Sequence, residues 1–108
     1  MQAPEEARTA AKLFSGPADP TRLAILMGLL RGERRVVDLL EQVGGSQANI
    51  SGHLACLKDC GLVLDRPEGR QVFYRIASSE VMNLLRAAER LLAANGLAID
   101  LCPNYREA

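Results

Sequence analysis

The chain has 108 residues, 48% of them hydrophobic but only four aromatic and none Trp, which supports one domain with a modest aliphatic core. Lys plus Arg equals Asp plus Glu at 13 each, so nucleic-acid binding has to come from a local basic face rather than from global charge. No secretory signal is read and no apolar run approaches ~18 residues, which predicts a soluble cytoplasmic protein with no membrane partner.

In chain order, residues 5–15 form a helix candidate with Ala7, Ala10, Ala11 and Phe14 on one side, and Gly16-Pro17 breaks it. Asp19 caps a second helix with Pro20 at its first position, where a missing N–H costs nothing. Leu23, Leu26, Met27 and Leu30 follow at helical spacing as its inward face, and Gly32 ends it. Val36 to Val43 is a third, short helix with Val36, Leu39, Leu40 and Val43 inward, followed by a tight turn at Gly44-Gly45.

Ser46 to Gly61 reads as a fourth helix, with Ser46 a good N-cap and Gly61 suited to a left-handed stop. At ~100° per residue, Ile50, Leu54 and Leu57 share an apolar stripe. Asn49, His53, Cys56 and Cys60 line the edge beside it at i, i+4, i+7 and i+11. Two helices joined by a glycine turn make a helix-turn-helix pattern, with the second as the recognition helix.

The period then changes to that of strands. Residues 62–66 and 71–76 flank Pro67-Glu68-Gly69-Arg70, a hairpin loop with a basic tip. Ser78 or Ser79 starts a last helix with Val81, Leu84, Leu85, Ala88, Leu91 and Leu92 on its apolar face, and Asn95-Gly96 ends it. The expected fold class is mainly α with a small β-hairpin: a winged helix-turn-helix with four helices before the hairpin and one after. Residues 1–96 make the DNA-binding and dimerisation domain and 97–108 a tail that contains Cys102. The small core cannot cover the apolar faces of both terminal helices, which predicts a homodimer.

The early residues of a recognition helix reach base edges in the major groove. Gln47, Asn49, Ser51 and His53 are the candidates here, and Gln or Asn can pair bidentately with adenine. Ser46 at the helix N-terminus suits a phosphate oxygen. Arg66 and Arg70 on the hairpin would enter or flank the minor groove, and Arg22, Arg34, Arg35 and Lys58 are further phosphate candidates. His53, the single histidine, is open to three roles: metal ligand, DNA contact or packing residue. Its position fits the DNA side best. With no nucleophile–base pair, phosphate loop or catalytic carboxylate pair, neither an enzyme nor a small-molecule substrate is expected.

Three stretches together resemble the ArsR/SmtB family of winged-helix metal-sensing repressors. Ala18-Asp19-Pro20-Thr21-Arg22 is similar to its second-helix signature. Ser51-x-His53-Leu54-x-x-Leu57-x-x-x-Gly61-Leu62-Val63 is similar to its recognition helix, and Glu68-Gly69-Arg70-x-x-x-Tyr74 to its wing. The resemblance covers about residues 5 to 95. It implies an operator-binding homodimer released by metal. The family's third-helix thiolate site would need cysteines within 33–39, and its last-helix zinc site paired Asp and His within 78–96; neither set occurs. The pattern that does match is that of the cadmium/lead-sensing subgroup. There two cysteines four apart late on the recognition helix act with a third in the tail, contributed by the other protomer. The resemblance thus implies Cys56, Cys60 and Cys102 as ligands.

Chemistry stands beside that resemblance. Cysteines four apart on a helix place their Cβ atoms ~5–6 Å apart, close enough for two thiolates to share one ion. In a reducing compartment, three cysteines point first to metal binding, reactivity or burial. Soft thiolates favour thiophilic cations, so an S3 set suits Pb(II), or Cd(II) with an added oxygen donor. Structural Zn(II) wants four ligands and fits this set less well. Cys56 and Cys60 can equally be small buried hydrophobes, and a disulfide between them would have an awkward torsion. One alternative uses the same cysteines differently, as a thiol-redox or arsenite-responsive repressor; another, of a different class, is a winged-helix protein–protein module without an operator.

Overall fold

The computed structural model describes residues 2–102; residues 103–108, which complete the expected tail, lie outside the described residues. Its elements are α1 (Glu5–Ser15), a 3-10 turn (Gly16–Ala18), α2 (Pro20–Leu29), α3 (Val36–Val43), α4 (Gln47–Asp59), β1 (Val63–Glu68), β2 (Gln71–Ile76) and α5 (Ser79–Ala94). This is the mainly helical winged helix-turn-helix expected from the sequence. Among the described residues no helix is long and apolar enough to cross a membrane.

The helix boundaries follow from caps. Asp19 Oδ1 accepts the N–H groups of Thr21 at 2.8 Å and Arg22 at 3.1 Å, and Ser46 Oγ accepts that of Asn49 at 3.1 Å. Each satisfies donors that a helix start leaves unpaired. The end of α4 is a Schellman motif: Gly61 at φ 80 lets Leu62 N–H reach Leu57 O and its own N–H reach Lys58 O, both at 3.0 Å. The same closure recurs after α5, where Leu97 N–H bonds Leu92 O and Gly96 N–H bonds Ala93 O. That turn sends the tail back along α5.

The main core is aliphatic. It is built from Ile25, Leu26 and Leu29 of α2, Leu39 of α3, Ile50, Leu54 and Leu57 of α4, and Leu62, Val63 and Val81. Leu54 and Leu57 are fully buried, each contributing roughly 1.5–3 kcal/mol by burial. A second, smaller cluster joins Leu85, Leu101 and Cys102, with Leu23, Met27, Leu30 and Ala88 packed around it. The inward face expected for α2 is therefore incomplete. The helix is apolar on two sides, with Ile25 and Leu29 in the main core and Leu23, Met27 and Leu30 turned to the second cluster.

The wing also differs from its expected limits. β1 runs on through Pro67 and Glu68, leaving only Gly69 and Arg70 as the turn, because Gly69 at φ 63 supplies the positive angle a two-residue II′ turn needs. Pro67 pairs with Val72 one step in from the closing pair Glu68–Gln71. That is a non-hydrogen-bonded position, where a proline N–H is not missed. The alternation is confirmed two residues further on. Tyr74 turns its N–H and C=O away from β1 and exchanges both with Arg34, at 2.8 and 3.0 Å.

The terminal helices leave apolar surface uncovered in a single chain. No residue of α1 is buried, Phe14 is 60% exposed and Leu91 of α5 is 65% exposed.

Candidate DNA and metal interface

The N-terminal half of α4 presents its polar side chains outward. Ser46, Gln47, Asn49 and Ser51 are exposed, while Ile50 between them anchors the helix in the core. Ser46 Oγ accepts the Asn49 N–H as the helix cap, so its hydroxyl positions the helix start, and the Gln47 and Asn49 side chains are exposed beside it. His53 is half-buried, with Nδ1 3.5 Å from Arg22 Nη1. Arg22 also donates from Nε to Gly16 O at 2.7 Å and from Nη2 to Ser15 O at 3.3 Å. The residue singled out as a phosphate candidate is thus a brace that ties the end of α1 to α2 and α4.

The C-terminal half of α4 carries Cys56 and Cys60, both half-buried free thiols. Cys60 Sγ donates to Lys12 O on α1 at 3.2 Å, and Lys12 Nζ pairs with Asp59 at 3.1 Å. Burial pushes the Cys60 thiol above its ordinary pKa, and the neighbouring Cys56 adds to the shift. Gly16 sits against this edge: a Cβ there would come 3.0 Å from Leu62 Cδ1 and 3.3 Å from Cys60 Sγ. The sulfur edge is consequently tied to α1 by a hydrogen bond, an ion pair and a close backbone approach.

Cys102 lies elsewhere. It is buried in the second cluster, and its N–H donates to Glu89 Oε2 at 2.9 Å; Leu101 N–H donates to the same oxygen. Within one chain, among the described residues, no three His, Cys, Asp or Glu side chains come together to hold a metal ion. The Cys56–Cys60 pair fits a soft cation as two of its donors, all sulfur and one helical turn apart, and the docked Cys102 does not complete the set in the same chain.

On the wing, Arg66 grips Glu33 through Nε and Nη2, both at 2.8 Å, donates from Nη1 to Glu68 at 2.7 Å, and stacks over the Phe73 ring at 4.9 Å. These carboxylates hold its pKa above the usual guanidinium range, and Arg66 holds that of Glu33 down. Arg70 sits exposed at the turn. Lys58 is paired to Asp65 at 3.0 Å and Arg35 to Asp38 at 3.0 Å. Sequence reasoning missed Glu33 as the partner of Arg66. It also missed Glu89, whose signal is a lone acid four residues after Leu85 on the apolar side of α5.

The profile described as "Bacterial regulatory protein, arsR family" matches residues 19–64, which span α2 to the start of β1. A probable mercury resistance operon repressor from Streptomyces lividans is 43% identical over 94 residues, covering 87% of this chain and 75% of that protein. The HTH-type transcriptional regulator CmtR of Mycobacterium tuberculosis is 44% identical over 75 residues, which span 69% of this chain and 64% of CmtR. In structure, the chain is similar to that cadmium metal-sensor with a TM-score of 0.64 at 40% identity, covering 83% of this chain and 90% of the other. It is also similar to a homodimeric winged helix-turn-helix DNA-binding domain from Mycobacterium bovis. There the TM-score is 0.76 at 31% identity, covering 86% and 89% of the two chains.

Proposed function

The chain belongs to the arsR family of bacterial regulatory proteins, and on that premise we propose that it is a metal-responsive transcriptional repressor. It binds operator DNA as a homodimer and leaves it when Cd(II) or Pb(II) is held by Cys56, Cys60 and Cys102. The observation that carries this reading is the adjacency of two thiols on the helix whose other half presents Gln47 and Asn49 to solvent. The exposed apolar side chains Phe14 and Leu91 support a second copy as the cover for α1 and α5, and one structural neighbour is homodimeric.

A thiophilic cation would supply a soft Lewis acid that prefers thiolate ligands to water. Everything else is done by the chain. Cys60 gives up its proton on ligation and with it the hydrogen bond to Lys12 O. That loosens the end of α1 from α4, at the point where Gly16 and the Arg22 brace connect α1 to His53. A dimerisation helix and a reading helix are thereby coupled through one sulfur. Cys102 supplies the third thiolate from the tail of the other protomer.

A sensor of oxidants would use the same two thiols, and mass spectrometry of the peroxide-treated chain separates it from the metal reading. Operator affinity is expected to fall about 5- to 150-fold on Cd(II) addition at fixed salt, the usual span of a coupling free energy. Unchanged affinity would reject the proposal. Cys56→Ser is expected to abolish both that response and the ultraviolet thiolate-to-metal band. An As(III) titration in parallel separates arsenite as the inducer.

A further inference from the structure

Glu89 is the buried charged side chain of the described residues, 4% exposed on the apolar side of α5. An ionised carboxylate in such surroundings is costly unless hydrogen-bonded. Its Oε2 meets that requirement with backbone donors from the tail, the N–H groups of Leu101 and Cys102. Charge-assisted bonds of this kind are stronger than neutral ones. The Schellman turn at Gly96 reverses the chain, so that Leu101 and Cys102 return to the level of Leu85 and Glu89. Their side chains then pack with Leu85 against Leu23 and Met27 of α2 and Leu30 at its C-cap. In this docked position Cys102 is 2% exposed, which closes its sulfur to a dissolved cation.

We infer that Glu89 is a positioning residue that latches the tail onto α5 and sequesters Cys102. Recruiting Cys102 as a third thiolate then requires release of the two hydrogen bonds to Glu89 Oε2. That second clause rests on the metal reading above; the latch itself does not. The acid has no other task in the DNA or thiol chemistry proposed for this chain.

The test uses the full chain without metal, alkylated with iodoacetamide and followed at each cysteine by peptide mass spectrometry. Glu89→Ala is expected to speed modification of Cys102 by at least about tenfold, the loss of two charge-assisted bonds, while Cys56 and Cys60 keep their rates. Glu89→Gln retains a carbonyl oxygen as acceptor but loses the charge assistance, so its Cys102 rate is expected to lie between those of wild type and Glu89→Ala. Equal Cys102 rates in wild type and Glu89→Ala would overturn the latch, as would equal acceleration at all three cysteines, which signals general loosening. Amide hydrogen exchange on the unmodified chain decides the matter even if Glu89→Ala does not fold: slow exchange at Leu101 and Cys102 is expected, and exchange at the free-peptide rate overturns it. Because neither measurement involves metal, failure of the latch leaves the Cys56–Cys60 reading standing, and failure of the Cd(II) response leaves the latch standing.

Discussion

The two halves of α4 share a backbone and a buried stripe, yet their exposed edges are built in opposite ways. From Gln47 to Ser51 the edge is open to solvent and, among the described residues, makes no side-chain hydrogen bond to the rest of the fold beyond the Ser46 cap. From Cys56 to Cys60 the edge is half-buried and bound to α1 through Lys12 and Gly16. An open edge is what a reader of base pairs needs, since its donors and acceptors must be free for the groove. A tied edge is what a sensor needs, since a ligand shifts an equilibrium only by interacting differently with two states. On the proposed function, the thiol edge has hydrogen-bonded contacts to lose, and the exposed edge from Gln47 to Ser51 has none among the described residues beyond its cap.

The largest expected effect separates the halves directly. If the proposed base contacts are made, Gln47→Ala or Asn49→Ala is expected to cost about 1–3 kcal/mol, the worth of a bidentate pair, or roughly 5- to 150-fold in operator affinity. Both sites are exposed, so folding is expected to be unchanged, and the Cd(II) charge-transfer band should keep its intensity and midpoint. Fluorescence anisotropy on operator DNA and absorbance titration on the same sample check both. A parallel loss in metal affinity would mean that the halves are not separable.

A smaller effect tests the sensor end. Gly61 holds φ 80 with nothing near its missing Cβ, so Gly61→Ala meets backbone strain and no clash. The cost is about 1 kcal/mol, a fall in Tm of about 4–8 °C for a domain of this size. The strain falls on the turn that follows Cys60. Cd(II) affinity is therefore expected to drop a few-fold, about the same cost expressed as binding, while metal-free operator affinity holds. If operator binding suffers equally, α4 responds as one rigid rod.

How much of this was legible in the sequence varies with the range of the interaction. Caps and stops were readable because they are local: Asp19, Ser46 and Gly61 each act within four residues. The wing was placed two residues short because the cost of Pro67 depends on which side of the ribbon its nitrogen faces, and only pairing decides that. The two-sided burial of α2 was missed because its second partner is the tail, some 70 residues away in sequence, which no helical period announces. Glu89 was hidden by the chain reversal after α5, which brings partners 12 and 13 residues further on back to its carboxylate, and charge pairing hid Arg66, which reads as a free wing cation until Glu33 is brought beneath it. The spacing of Cys56 and Cys60 was legible as a pair; their tie to α1 was not.

The smallest effect concerns the support beneath the reader half. Asp38, in the first turn of α3, accepts the backbone N–H of Arg35 at 2.9 Å and its guanidinium at 3.0 and 3.1 Å. The Arg35 side chain and its N–H lower the Asp38 pKa from 3.8 to about 2. A carboxylate depressed in the folded state stabilises above its unfolded pKa, and that contribution is lost as pH falls through the folded value. The pair is partly exposed, so the effect is modest. Asp38→Asn is therefore expected to lower Tm slightly at pH 7, with the difference from wild type shrinking between about pH 4 and pH 2 and vanishing below. Since α3 packs on α4 through Leu39 and the main core, the loosening should register in operator affinity before it registers in the Cd(II) band. A difference in Tm that stays constant from pH 7 to pH 2 would show that the Arg35–Asp38 charge pair does not hold the helix that supports the reader.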